Sequence, residues 1–237
     1  FMHAIDSTQK FDGKISLNMY GVNAIYPGET IEWDGDINPY RLWMRYATPQ
    51  MELRAGLQKI DFGSATALRP LQWFNQIDPR DPLQLTNGVT GLLFRYYFLN
   101  NANLWVWGLY GNERTRGFDA IETRSDIPEF GGRLQLPAGP GELALTYHHR
   151  TAVTKDLVVY PDLDRIPEDR LGLDGKWDIG IGLWFEMSYS HKHQAVTPVQ
   201  GLGLYELTYQ TLGSVGADYT FSLGNGLNVM AEHFVLA

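Results

Sequence analysis

The sequence predicts an all-β chain, folded as an antiparallel up-and-down transmembrane β-barrel of about 12 or more strands, of which about 11 are readable. Three observations predict it. No stretch carries the period of a long amphipathic helix. The links between strand-like segments alternate strictly between short and long. Each segment has one continuous apolar face and one face that carries full charges.

Composition agrees. The 237 residues include 25 Gly, 12 Pro, 13 Tyr and 7 Trp, which suits one large all-β domain over 1–237 better than two smaller ones. A net charge of −8 argues against nucleic acid as a partner. With no cysteine, a disulfide scaffold and a thiolate zinc site are excluded. No apolar run is long enough for a membrane helix. A membrane strand needs only about 9 to 11 residues and alternates its faces, so the mean hydropathy of −0.25 is no obstacle. The opening FMHAIDSTQK has no apolar signal region, so a secreted chain is expected here in mature form.

Taken in order, the strands are expected at 13–26, 37–47 and 51–62, the last two joined by the tight Thr48-Pro49-Gln50. The segments 90–99 and 103–112 form a hairpin around Asn100-Asn101. Next come 128–136 and 142–150 around the Gly/Pro-rich 137–141, then 169–177 and 182–190 around 178–180. The last are 205–223 and 227–237 around Gly224-Asn225-Gly226. Tight links therefore fall at 48–50, 100–102, 137–141, 178–180 and 224–226, and long ones at 27–36, 63–88, 113–127, 151–168 and 191–204. In a meander this sorting puts all tight turns at one end and all long loops at the other, as in outer-membrane barrels.

Alternation then assigns faces. Leu42, Met44 and Tyr46 oppose Arg41, Trp43 and Arg45; Leu53, Ala55 and Leu57 oppose Glu52, Arg54 and Gln58. Leu183, Phe185 and Met187 oppose Trp184, Glu186 and Ser188. The apolar faces end in Tyr, Trp or Phe, as an interfacial girdle requires, so the charged faces are expected inside. The surplus aromatics of 90–112 are expected at headgroup level near the tight turn, with Arg95 pointing inward. The competing reading places these aromatics in a soluble sandwich core.

With the charged faces inside, Arg41, Arg45, Arg54, Arg95 and Arg133 form a basic ladder, and Glu186, Glu206, Asp218 and Glu232 an acidic wall. Arg133, Arg150, Glu129, Glu142 and Asp174 lie between and can pair; the alternative is that all these charges merely pair and fill a narrow lumen. The segment 63–88 is too long for an ordinary link and too apolar for a disordered one. Folded into the lumen, it would place Trp73, Asp78, Arg80 and Asp81 in the pathway as a constriction; the alternative is a surface loop or a partner interface.

The run LRAGLQKIDFGSATALRPLQWFNQIDPRDPLQLT, with Arg54, Gly56 and Gln58 followed by Phe62-Gly63 and a Pro-rich loop, resembles alginate-export-like and related Gram-negative porins. It covers roughly residues 51 to 90. The resemblance implies a bacterial outer-membrane location and passive diffusion of a small polar or acidic solute, with outer-membrane lipid as surroundings. The alternative is a non-transporting barrel that serves as a scaffold or accessory subunit for another envelope protein. No catalytic residue, metal or cofactor is expected. The histidines at 148–149 and at 191 and 193 read as solvated rim groups without a third metal ligand. Ser188 and Ser190 share a face, but His191 points away from it, so no serine–histidine pair forms.

Two features stand apart. Eleven strands is an odd number, and the chain ends AEHFVLA without a further turn, so a barrel incomplete at the C-terminus is expected. The other account splits 205–223 into two strands near Leu212-Gly213, which would break the alternation of link lengths.

Overall fold

A computed structural model describes residues 2–4, 8–24, 32–75, 86–155, 157, 159–198 and 205–237. Among them there is no helix. The strands are β1 (Met2–Ala4), β2 (Lys10–Ala24), β3 (Glu32–Ala47), β4 (Met51–Gln58), β5 (Val89–Tyr97), β6 (Asn103–Leu109) and β7 (Glu122–Thr123). They continue as β8 (Glu129–Ala138), β9 (Gly141–Val153), β10 (Ile166–Asp178), β11 (Gly182–Lys192), β12 (Tyr209–Phe221) and β13 (Leu227–Leu236).

Each strand pairs antiparallel with the next, in the order β1-β2-β3-β4-β5-β6-β8-β9-β10-β11-β12-β13. This is the expected meander, and 205–223 contributes the single strand β12. The two-residue β7 lies off the path and pairs with β9 at Val153 and Ala152, beyond the last β8 pair at His149. Tight links remain at one end and long ones at the other. Among the described residues no pairing joins β1 to β13.

Alternation holds along the meander. Leu92 is 55% exposed, and Val106, Leu134, Leu145, Leu171, Met187 and Val215 stand exposed on the strands that follow. On the opposite face Glu52, Arg133, Thr146, Asp174, Glu186 and Ser214 are all buried. A water-soluble sheet buries its apolar face and leaves charge in water; here the burial is inverted. One irregularity preserves the phase. Ser16 pairs with Arg41 and Leu17 with Pro39, so Tyr40 is an extra, bulged residue. Without it Pro39 and Arg41, two residues apart, would share one face, which would turn either Pro39 inward or Arg41 outward.

What covers the charged face is the stretch after β4. Residues 59–75 leave the sheet and lie against its inner side. Ile60, Phe62, Leu71, Trp73 and Phe74 pack there with Val89, Leu93, Trp107 and Leu109 of β5 and β6. A second apolar cluster, Ile121, Ala152, Ile166 and Val196, sits at the long-link end.

Candidate functional site

The inner side has three parts. The first is the inserted segment. Phe62 stacks on Trp107 with ring centroids 5.7 Å apart and meets Trp73 and Phe74 edge-on, both at 5.9 Å. The Trp73 indole donates to Ser188 Oγ at 3.0 Å. The segment's backbone is bonded as thoroughly. Glu186, fully buried on β11, accepts from the amides of Ala65 (2.9 Å) and Leu71. Glu232 on β13 accepts from the amides of Thr66 (3.0 Å), Ala67 (3.4 Å) and Leu68 (2.7 Å) and from the Trp184 indole (3.1 Å). Ser64 donates to Asp174 at 3.1 Å. Gly63 enables the approach: its φ is +104°, and a Cβ there would stand 2.4 Å from Glu186 Oε2.

The second part is a wall of arginines on aromatic rings along β3, β4 and β5. Arg45 grips Asp12 through Nε at 2.9 Å and through Nη2, and reaches Glu52 at 3.2 Å. Arg54 meets the same Glu52 at 2.8 Å and Arg95 at 3.5 Å, so three guanidinium groups surround one buried carboxylate. Arg95 lies 3.9 Å from the centroid of Trp105, and Arg54 4.7 Å from that of Trp43. Arg54 Nε, Arg95 Nε and Trp105 Nε1 are buried without a hydrogen-bond partner. Arg41 stands apart, donating to the carbonyl (2.8 Å) and hydroxyl (2.6 Å) of Thr86. Two clefts flank this wall. One of about 370 Å³ opens at the tight-link end by Lys10, Arg45, Thr48 and Tyr97. The other, about 470 Å³, opens at the long-link end by Asn87, Asn112, Arg114 and Arg116.

The third part is a buried ion-pair ladder on β8 to β11. Arg133 is bonded to both oxygens of Asp174 and to Thr146. Glu168 meets Arg150 at 2.9 Å, Arg170 at 2.6 Å and Lys192 at 3.6 Å, and Asp119, from the link after β6, bridges Arg150 and Arg170. Glu129 accepts from Arg116 at 2.7 Å and lies 3.2 Å from His148 Nε2. Because the Trp107 indole can only donate, His148 Nδ1 must accept its bond; Nε2 then carries the proton and donates to Glu129.

Among the solved structures similar to this chain are two forms of one protein. One is OmpT, an outer membrane protein of Vibrio cholerae, in vitro folded and in trimer form. It shows 13% identity over 99% of this chain and 78% of that one, with a TM-score of 0.45. The other is the loop L8 deletion mutant of that protein, with 13% identity over 99% of this chain and 82% of that one and a TM-score of 0.42. No protein-family model matches the chain, and no curated protein matches it.

Of the sequence-derived residues, Arg41, Arg45, Arg54, Arg95 and Arg133 all occupy inner positions. They do not form one open ladder, since Arg45, Arg54 and Arg95 converge on Glu52 and Arg133 is paired with Asp174. Glu186 and Glu232 bind the inserted segment. Asp218 accepts a long 3.3 Å bond from Asn228, and Glu206, exposed beside β12, accepts from the Thr208 hydroxyl at 2.6 Å. Trp73 lies inside, whereas Asp78, Arg80 and Asp81 fall outside the described residues. Two expectations change. Trp105 and Trp107 face inward rather than lying at headgroup level, because they share the face of Arg95 and of the inserted Phe62. His148 is 1% exposed rather than solvated, because its strand position points to that same interior. His149 and His193 do remain at the rim, on Asp169 at 2.7 and 2.5 Å. Among the described residues no three acidic or histidine side chains converge as a metal site.

Proposed function

We propose that the chain spans the bacterial outer membrane as a barrel and lets a small polar or acidic solute diffuse through its interior. The observation that carries this is the inverted burial. Exposed Leu, Val and Met line one face of successive strands while buried Arg, Glu and Asp line the other, which is stable when the surroundings are acyl chains and the interior is polar. The route is the arginine wall between the two clefts, where guanidinium groups outnumber carboxylates and buried N–H groups lack partners. Within this reading the Arg54–Gly63 motif supports kinship with alginate-export-like porins.

The test is reconstitution into planar bilayers. A defined open level with anion preference is expected, and Arg41→Ala with Arg95→Ala should move the reversal potential toward that of a non-selective pore. An unshifted potential rules out the arginine route. A specific observation favours a second reading, a non-transporting scaffold for another envelope protein: the β6 to β13 side of the interior is filled by residues 59–75. Absence of any defined open level selects it.

A further inference from the structure

We propose that residues 63–75 are a latched plug, with the carboxylates of Glu186 and Glu232 as the latch. The inference rests on the channel reading for its consequence in transport, but not for its structural content. The segment's amides from Ala65 to Leu71 have left the sheet and have no strand partner. Five of them instead donate to two carboxylates from β11 and β13: Ala65 and Leu71 to Glu186, and Thr66, Ala67 and Leu68 to Glu232. Bonds from these amides to carboxyl oxygens satisfy N–H groups that the sheet no longer serves. They are also collective, because losing one carboxylate strands two or three amides at once.

Apolar contact alone does not fix the part of the segment that the latch holds. Phe62, Leu71, Trp73 and Phe74 are buried at its two ends, whereas Thr66, Ala67 and Leu68 between them are exposed. The middle of the segment is therefore held by hydrogen bonds to the wall, and the tryptophan that steadies Glu232, Trp184, is itself a wall residue. Withdrawing the two acceptors frees 64–71 to swing while its aromatic ends stay anchored. The consequence is a wider passage on the β11 to β13 side.

The experiment compares wild type, the Glu186→Gln/Glu232→Gln double variant, and Glu232→Ala, whose half-buried carboxylate can be removed with least risk to folding. Asp126→Asn, on an exposed link away from the segment, is the control. Amide hydrogen exchange is read for residues 64–71 in detergent, and single-channel conductance in bilayers. Exchange should be about tenfold faster at Ala65 to Leu68 and at Leu71 in the double variant, and at Thr66 to Leu68 in Glu232→Ala. It should stay unchanged at β9 and β10 and in the control, and the latch variants should show a larger conductance level. Unchanged exchange at 64–71 overturns the latch whatever the conductance shows. Faster exchange with no conductance in any variant sustains the latch and overturns the channel reading instead.

Discussion

Glu168 is 1% exposed, and three cations point at it: Arg150, Arg170 and Lys192. Its removal leaves buried guanidinium groups that Asp119 neutralises in part, so Glu168→Ala should destabilise the folded chain by about 3–5 kcal/mol. Denaturant unfolding in micelles measures it, with the exposed Arg124–Asp126 pair as a comparison whose loss should leave unfolding unaltered. At this scale the sequence was partly readable. That Arg133 and Asp174 could pair follows from both lying on inner faces, and they do. The convergence of Arg45, Arg54 and Arg95 on Glu52 was not readable. It depends on cross-strand register (Arg45 opposite Arg54, Glu52 opposite Arg95), and alternation within a strand carries no register. Trp105 was misplaced for a related reason: parity gives it a face, but only the pairing with Arg95 shows that the face is inside.

Among the elements, the inserted segment has its own acid sensitivity. Asp61 bonds Arg69 at 2.9 Å and Lys59 at 2.8 Å. Burial alone would raise its pKa, but the two cations outweigh burial and hold the carboxyl below the ordinary value. A group depressed in the folded state stabilises above its unfolded pKa, and that contribution is lost as pH falls through the folded value. The thermal midpoint of wild type should therefore exceed that of Asp61→Asn at neutral pH, and the gap should close below about pH 4. A gap that persists in acid rules out the ion pair as its source. The need of 63–88 for cover was legible, since Trp73 and Phe74 cannot stay in water. Its carboxylate partners were not, because they come from strands more than 100 residues away. The end of β4 at Gln58 was missed too, because Ile60 and Phe62 continue the period of a strand while packing as part of the insert. The short β1 and β7 are too brief to show any period.

For the whole molecule, the sorting of tight and long links was the most legible property of the chain. It fixes strand order without reference to any side chain, because a meander returns the chain to the same end after every second strand. The inversion of burial then follows from alternation plus one choice of side. The indole rings show what that choice entails. Trp43, Trp73, Trp105, Trp107 and Trp184 all belong to the inner face or to the insert, while Trp177 stacks on Phe185 on the outer one. In vesicles made with bromine-labelled acyl chains, most of the intrinsic fluorescence should escape quenching, although the chain is rich in tryptophan and surrounded by lipid. Strong quenching would mean that the rings look outward. If they look inward, the protein is optically blind to the bilayer around it, and its emission spectrum reports on the interior.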